Sequence, residues 1–361
     1  MEVANNSVTK LPDDIVCEIL KRLPVKPLSK FKCVCRSWLS LISSRRFIKT
    51  HLMNSTKDPN FTHHRFIMYS RDSFKHISAR SLLSEPVIDP LDVDFSIHRS
   101  PRNLISVVGS CDGLLCLAID EKDLILWNPT TGVSKQLPDL GVEIICPKYG
   151  FGYDQSTDDY KVVGFFRRLW DLSEVVAKVY SLKTNRWKAV KGFKGRWLMD
   201  DTAAFADGKL YWTANSYLEM KYGWNIDFLD LSTEEHGVLE MPSYVKSGFY
   251  SRLGVFEGRV FVMCDHINQA VVWIMDDHVN GNGKWVNLLT IPHVNDFVRK
   301  NYKTVLFVLE NGEVVLNCGF KFVVFDAKNC SFRYPEIRNW NVLFEASGYV
   351  ESLVSPLGNG E

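Results

Sequence analysis

The sequence has no long apolar run, no excess of either charge, no paired-cysteine motif and no catalytic signature. Each absence excludes a class. No stretch is apolar enough over about 20 residues to cross a bilayer as a helix, and the N-terminus has no apolar leader core. Basic and acidic residues number 43 and 42, a formal net charge of +1, which argues against a general nucleic-acid binder. The nine cysteines are an odd number, scattered from Cys17 to Cys330, and none forms a C-x-x-C pair. That usage fits reduced thiols, so the expected compartment is cytoplasm or nucleus. No G-x-x-x-x-G-K-[ST] loop, G-x-S-x-G elbow or H-E-x-x-H helix occurs. No catalytic residue, metal or cofactor is therefore expected. The adjacent pair His63-His64 falls where a solvated linker is expected, with no carboxylate or cysteine at ligand spacing. The doublets Asp158-Asp159 and Asp200-Asp201 fall at predicted turns, where aspartate serves backbone hydrogen bonding.

What is present divides in two. Residues 11–48, LPDDIVCEILKRLPVKPLSKFKCVCRSWLSLISSRRFI, have the periodicity of two or three short helices. Pro12 suits a first helical position, and Asp13 and Asp14 favour the positive helix end. Ile15, Ile19, Leu20 and Leu23 follow at helical spacing until Leu23-Pro24 stops the helix. Leu28, Phe31, Cys35, Trp38 and Ile42 step by 3, 4, 3 and 4 and are expected on one helix face. Cys35 reads there as a small buried apolar residue. A helical segment of about forty residues is too small to bury so much apolar surface internally. Part of it should dock in a hydrophobic groove of another protein. The alternative is an ordinary helical hairpin packed on the domain that follows. Lys26, Lys30, Lys32 and Arg36 read as a solvated or partner-facing surface.

From about residue 65 the pattern becomes strand-like and repeats. Apolar runs lead into a polar turn in LILWNPTTGVSKQLP at 124–138, AKVYSLKTNRWKAV at 177–190 and IDFLDLSTEEHGVLEMP at 226–242. Looser copies follow at 271–292 and 322–337. Taking Asn128, Ser181, Asp230, Asp276 and Asp326 as markers, the steps are 53, 49, 46 and 50 residues. Tight hairpins precede most copies, as in CDGLLCL, ADGKLYW, FEGRVFV and ENGEVVL, with the turn residues that positive φ requires. A four-strand unit repeating near fifty residues predicts an all-β, kelch-like β-propeller of about six blades. Five units are plain. The sixth is expected from residues 65–108, with a strand at 342–354 closing the ring. A β-sandwich is the alternative, although sandwiches do not require an internal period.

In such blades the first and third turns share one face of the ring, and the second turns and crossovers share the other. The tight turns map to the first face and the long loops to the second. The second face therefore collects Arg167, Arg168, Trp170, Arg196, Trp197, Tyr217, Tyr222, Trp224, Tyr244, Phe249, Tyr250, Phe297, Arg299 and Tyr302. Trp, Tyr and Arg dominate interface hot spots, so this is the expected target-binding face. About half of the rings are expected to tuck back over the blade ends.

LPDDIVCEILKRLPVKPLSKFKCVCRSW closely resembles the F-box in the form common in plant proteins. NPTTG, YGFGYDQSTDDYKVV, VYSLKTNRW, GKLYW, FLDLSTEE, LGVFEGRVFV, VVWIM and YVESLVSP resemble the plant F-box-associated domain, type 1. The Gly-Gly doublet of true kelch repeats is absent. The resemblance implies an F-box at 8–50, a linker at 51–64, a substrate-binding propeller at 65–355 and a flexible tail at 356–361. It implies that Leu11, Pro12, Ile15, Ile19, Leu20, Leu23, Pro24, Val25, Leu28, Phe31, Val34, Cys35 and Trp38 bind a Skp1-type adaptor. Through that adaptor the chain would join a cullin, a RING protein and an E2. The implied role is the non-catalytic substrate receptor of a Skp1–cullin–F-box ubiquitin ligase, with a protein target and neither nucleic acid nor membrane as partner. The alternative is a propeller enzyme or carbohydrate-binding protein with an incidental helical leader.

Overall fold

The computed structural model describes residues 11–70, 73–93, 95, 104–141, 144–168, 171–193, 197–198, 202–215, 225–239, 241, 250–276, 284–292, 304–340, 342 and 344–358. Four helices come first: α1 (Asp13–Leu20), α2 (Val25–Phe31), α3 (Arg36–Ser43) and α4 (Arg45–Thr56). Pro12 caps α1 with Asp13 and Asp14 in its first turn, and Pro24 starts α2 from an extended conformation. The five-residue series Leu28 to Ile42 does not lie on one helix. Leu28 and Phe31 are in α2, Ile42 and Trp38 in α3, and Cys35 is the extended residue before α3, with φ of −160°. The break falls at Cys33-Val34-Cys35, residues of weak helix propensity. Cys35 is exposed there, not buried, and its Sγ meets Ser37 Oγ at 3.1 Å. Ser44 caps α4 by accepting from the Phe47 amide at 3.3 Å. Helix α4 runs on to Thr56, so the stretch expected as a linker begins inside it.

Six antiparallel sheets follow. Blade one comprises Ile105–Cys111, Leu114–Ile119, Asp123–Trp127 and Ser134–Gln136. Blade two comprises Ile144–Asp154, Asp159–Arg168, Asp171–Ser181 and Arg186–Ala189. In blade three the first strand is split into Trp197–Leu198 and Ala204–Ala206, both paired with Lys209–Asn215; Asn225–Asp230 and His236–Leu239 complete it. Blade four is Tyr250–Phe256, Arg259–Asp265, Gln269–Asp276 and Lys284–Pro292. Blade five is Thr304–Val308, Glu313–Asn317, Phe322–Asp326 and Ser331–Arg333. Blade six joins both ends of the chain. Its inner strand is Glu345–Val350, and its outer strands His64–Tyr69, Phe74–Ser78 and Leu91–Asp92 come from before blade one. The inner strand pairs Gly348 with Phe66, and it also touches the first strand of blade one, which closes the ring. The expected sixth unit thus overran at one end: Ile105 opens blade one.

The markers have a common structural role. Ser181, Asp230, Asp276 and Asp326 are the last residues of third strands, and Asn128 directly follows one. Asp230 Oδ1 accepts from the Ser232 and Thr233 amides at 2.8 and 3.2 Å, and Asp326 Oδ1 does the same for Lys328 and Asn329. A short acceptor is needed at these two turns because the turn amides have no strand partner. Tight first turns such as Asp112-Gly113, Asp207-Gly208 and Glu257-Gly258 hold two consecutive positive φ angles.

The core lies between blades. Six apolar clusters occupy the six interfaces of the ring. Between blades two and three, for example, Val163, Phe165 and Ala177 pack on Leu210, Trp212 and Leu229. A buried ion pair of blade two lies at the same interface. Lys161 Nζ lies 2.8 Å from Asp154 and donates at 2.6 Å to the Leu231 carbonyl of the next blade.

Candidate docking surfaces

Helix α1 is apolar on two faces. Leu20 joins Val25, Leu28, Ile42 and Phe47 in a buried cluster, with Val16, Leu23, Phe31 and Trp38 partly buried against it. Ile15 and Ile19, one turn apart, face the other way and are each 49 % exposed. Leu11, Val34 and Leu39 add to the exposed apolar set at 56, 61 and 47 %. Pro12, Pro24 and Cys35 are exposed as well. A short helix with a second apolar face has more such surface than its own core uses, the mark of a docking face. Three of the expected contact residues, Leu20, Val25 and Leu28, are 1 % exposed or less and pack inside the module. Leu39 was missed because its helix face was assigned from Trp38 and Ile42, which point inward from α3. Phe31 and Trp38 meet edge to face at 5.5 Å and close the cluster on its outer side.

Helix α4 fixes this module to the propeller. Ile48 and Leu52 pack on the blade-one and blade-two cluster that includes Val354, while Leu353 enters the cluster of the module. Lys49 Nζ reaches Asp158 at 2.7 Å and Tyr153 at 3.1 Å, and Arg45 pairs with the same Asp158. Asp158 therefore serves an anchor, and its neighbour Asp159 accepts from Ser181 and the Lys183 amide. The doublet is structural. Asp200-Asp201 lies outside the described residues.

The C-terminal segment 351–354 is buried between the two parts. Asn128 Nδ2 donates to the Ser352 and Val354 carbonyls at 3.0 and 2.8 Å, while its Oδ1 accepts from the Thr130 amide. Glu351 accepts from Arg65 at 3.1 Å and lies 3.8 Å from His63. Burial would raise the Glu351 carboxyl, but the His63 contact and the Arg65 charge hold it below its ordinary value. The pair His63-His64, expected in a solvated linker, is buried at this junction with His51 and His76. Burial pushes His64 and His76 down to about 4. The histidines are covered because the segment after α4 leads within a few residues into the second strand of blade six, His64–Tyr69, beside the buried C-terminal segment.

These contacts all lie at the end of the ring that carries the first and third turns. The second turns and crossovers leave from the opposite end. A ten-residue strand such as Asp159–Arg168 separates the ends by roughly 30 Å. Of the expected target face, Trp170, Arg196, Tyr217, Tyr222, Trp224, Tyr244, Phe249, Phe297, Arg299 and Tyr302 lie outside the described residues. The backbones of Arg168, Trp197 and Tyr250 end strands at the far end, paired with Asp171, Asn215 and Asp265. Arg167 precedes Arg168 there and is half-buried. The same end exposes Ile267 and Phe320, in the second turns of blades four and five, at 58 and 50 %. Sequence reasoning passed Ile267 over because it collected only aromatic and arginine side chains from its loop, and Phe320 because it sits in a short turn. Among the described residues, an open groove of about 460 Å³ between blades four and five is lined by Phe256, Leu288, Leu309, Glu257 and Glu310. No group of three or more His, Cys, Asp or Glu positioned for a metal ion occurs among them. No helix of the described residues is long and apolar enough to cross a membrane.

Two family models match the chain: one described as the F-box domain at residues 8–50, the other as the F-box associated beta propeller domain at residues 65–355. An F-box/kelch-repeat protein of Arabidopsis thaliana is 32 % identical over 364 residues, covering 96 % of each chain. The F-box protein CPR1 of the same plant is 24 % identical, covering 95 % of this chain and 88 % of its own. Among solved structures, an oligogalacturonate lyase in complex with manganese aligns with a TM-score of 0.46 and 10 % identity, covering 74 % of this chain and 71 % of its own; that likeness is too distant to bear on function.

Proposed function

The chain belongs to the F-box proteins that carry an F-box-associated β-propeller, and on that premise we propose that it is the substrate-recognition subunit of a Skp1–cullin–F-box ubiquitin ligase. The observation that carries the reading is the second apolar face of α1–α3, made by Leu11, Ile15, Ile19, Val34 and Leu39, on a module anchored at one end of the ring. That face takes a Skp1-type adaptor, which brings the cullin, the RING protein and the ubiquitin-charged E2. The opposite end of the propeller takes the target protein. Catalysis of ubiquitin transfer belongs to the rest of the assembly; this chain raises the effective concentration of a target lysine near the E2. Cytoplasm and nucleus are the compartments where such assemblies work. The test is a substrate trap. The full chain carrying Ile15→Asp and Ile19→Asp is compared with the unaltered chain in plant cells. The variant should lose the adaptor and accumulate target proteins that the unaltered chain turns over. Retained adaptor, or an identical set of captured proteins, contradicts the proposal.

A further inference from the structure

The charge of this chain is nearly balanced in total but not in its distribution. Between residues 11 and 57 ten lysines and arginines stand against three aspartates and glutamates, while from residue 58 onward 32 stand against 38. The helical module is a basic body on an acidic propeller. Its cations are mostly unspent. Lys21 pairs with Glu18, and Arg45 and Lys49 pair with Asp158. Among the described residues Arg22, Lys26, Lys30, Lys32, Arg36 and Arg46 form no ion pair, and all but Lys32 are exposed. They are interleaved with the docking face. Val34 lies between Lys32 and Arg36, and Leu39 sits one helical turn after Arg36.

We infer that this module is built to capture an acidic protein surface, so that the adaptor, which the proposed function requires, is steered to it by charge and then held by the apolar face. The exposed Ile15, Ile19, Val34 and Leu39 favour a protein over a phosphate backbone, which offers nothing apolar to cover them. Rim charges act chiefly on the association rate, and like charges suppress wrong encounters. The propeller's negative balance repels the same acidic partner and keeps it from docking at the far end.

The test is the association rate of the full chain with a purified plant Skp1-type adaptor, measured from about 0.05 to about 0.5 M salt. The rate should fall tenfold or more across that range, while the dissociation rate changes by less than threefold. Lys30→Glu with Arg36→Glu should slow association about tenfold at low salt and remove most of the salt dependence. Arg186→Glu, on an outer propeller strand, should change neither. Binding with a salt-independent association rate overturns the inference and leaves the proposed function standing. No binding at any salt overturns both. Binding of generic duplex DNA or anionic vesicles as tightly as the adaptor at about 0.15 M salt shows a polyanion surface instead and also overturns it.

Discussion

Ile19 and Leu20 are neighbours in the chain with opposite fates, and exchanging each for alanine separates docking from folding. Leu20 is 1 % exposed inside the module, so Leu20→Ala leaves a cavity and should cost about 2–5 kcal/mol of stability. Ile19 is 49 % exposed. Its truncation should move stability by no more than about 0.5 kcal/mol, as for surface positions generally. Burying the exposed half of an isoleucine on a partner contributes about half of the roughly 1.5–3 kcal/mol of full burial. Ile19→Ala should therefore weaken adaptor binding by about 1 kcal/mol, roughly five- to tenfold in Kd. Ile15→Ala should add a comparable loss. Thermal unfolding followed by helix circular dichroism reads the first effect, and calorimetric titration with the adaptor reads the second. Equal destabilisation by both variants would refute the assignment of faces, as would full affinity in the Ile15→Ala, Ile19→Ala double variant.

Asn128→Ala leaves the Ser352 and Val354 carbonyls without their donor, so the closing strap should weaken by about 2–4 kcal/mol, seen as a lower unfolding temperature. Asp154→Asn strands the Lys161 ammonium in a blade interface and should cost about 3–5 kcal/mol. In the unaltered protein, burial would raise the Asp154 carboxyl, but hydrogen bonds from Lys161, Thr157 and Ser156 hold it well below 3.8. Its folded-state pKa is depressed, so its contribution is present above pH 3.8 and lost as pH falls further; an acid titration of Asp154→Asn should lack that component. His64 and His76 are also depressed, from 6.5 to about 4, because burial disfavours the charged ring. Their neutral forms fit the junction, so stability should fall as pH drops from 6.5 to 4, by up to roughly 3 kcal/mol for each ring, and His76→Gln should flatten the slope.

The architecture was legible because it repeats. One acceptor side chain per third-strand end gave the period, and that residue is dictated locally by the turn it caps. Ring closure was legible in outline, since a leftover strand near residue 342–354 had no partner in the five plain units. The faces of the helical module were legible only in part. Periodicity shows that Ile15, Ile19 and Leu20 lie on a helix, but the choice of inward face depends on how α2–α4 pack against it, which the periodicity of α1 does not carry. The α2–α3 break was obscured because Cys33-Val34-Cys35 keeps an apolar rhythm through a turn. The buried histidines were misread because polarity suggested a linker, while their burial follows from α4 and the C-terminal strap closing over them. At the far end, attention to aromatic and arginine side chains left out the aliphatic Ile267, and attention to long loops left out Phe320 in its short turn.

The central claim is that the module's outer apolar face binds a Skp1-type adaptor while the propeller remains free for a target. The most direct measurement is size-exclusion chromatography with light scattering on the full chain mixed with purified adaptor. The account predicts a one-to-one complex from the unaltered chain, and none from a folded chain carrying Ile15→Asp and Ile19→Asp. Two separate peaks from the unaltered chain, or an unchanged complex from the variant, would contradict it.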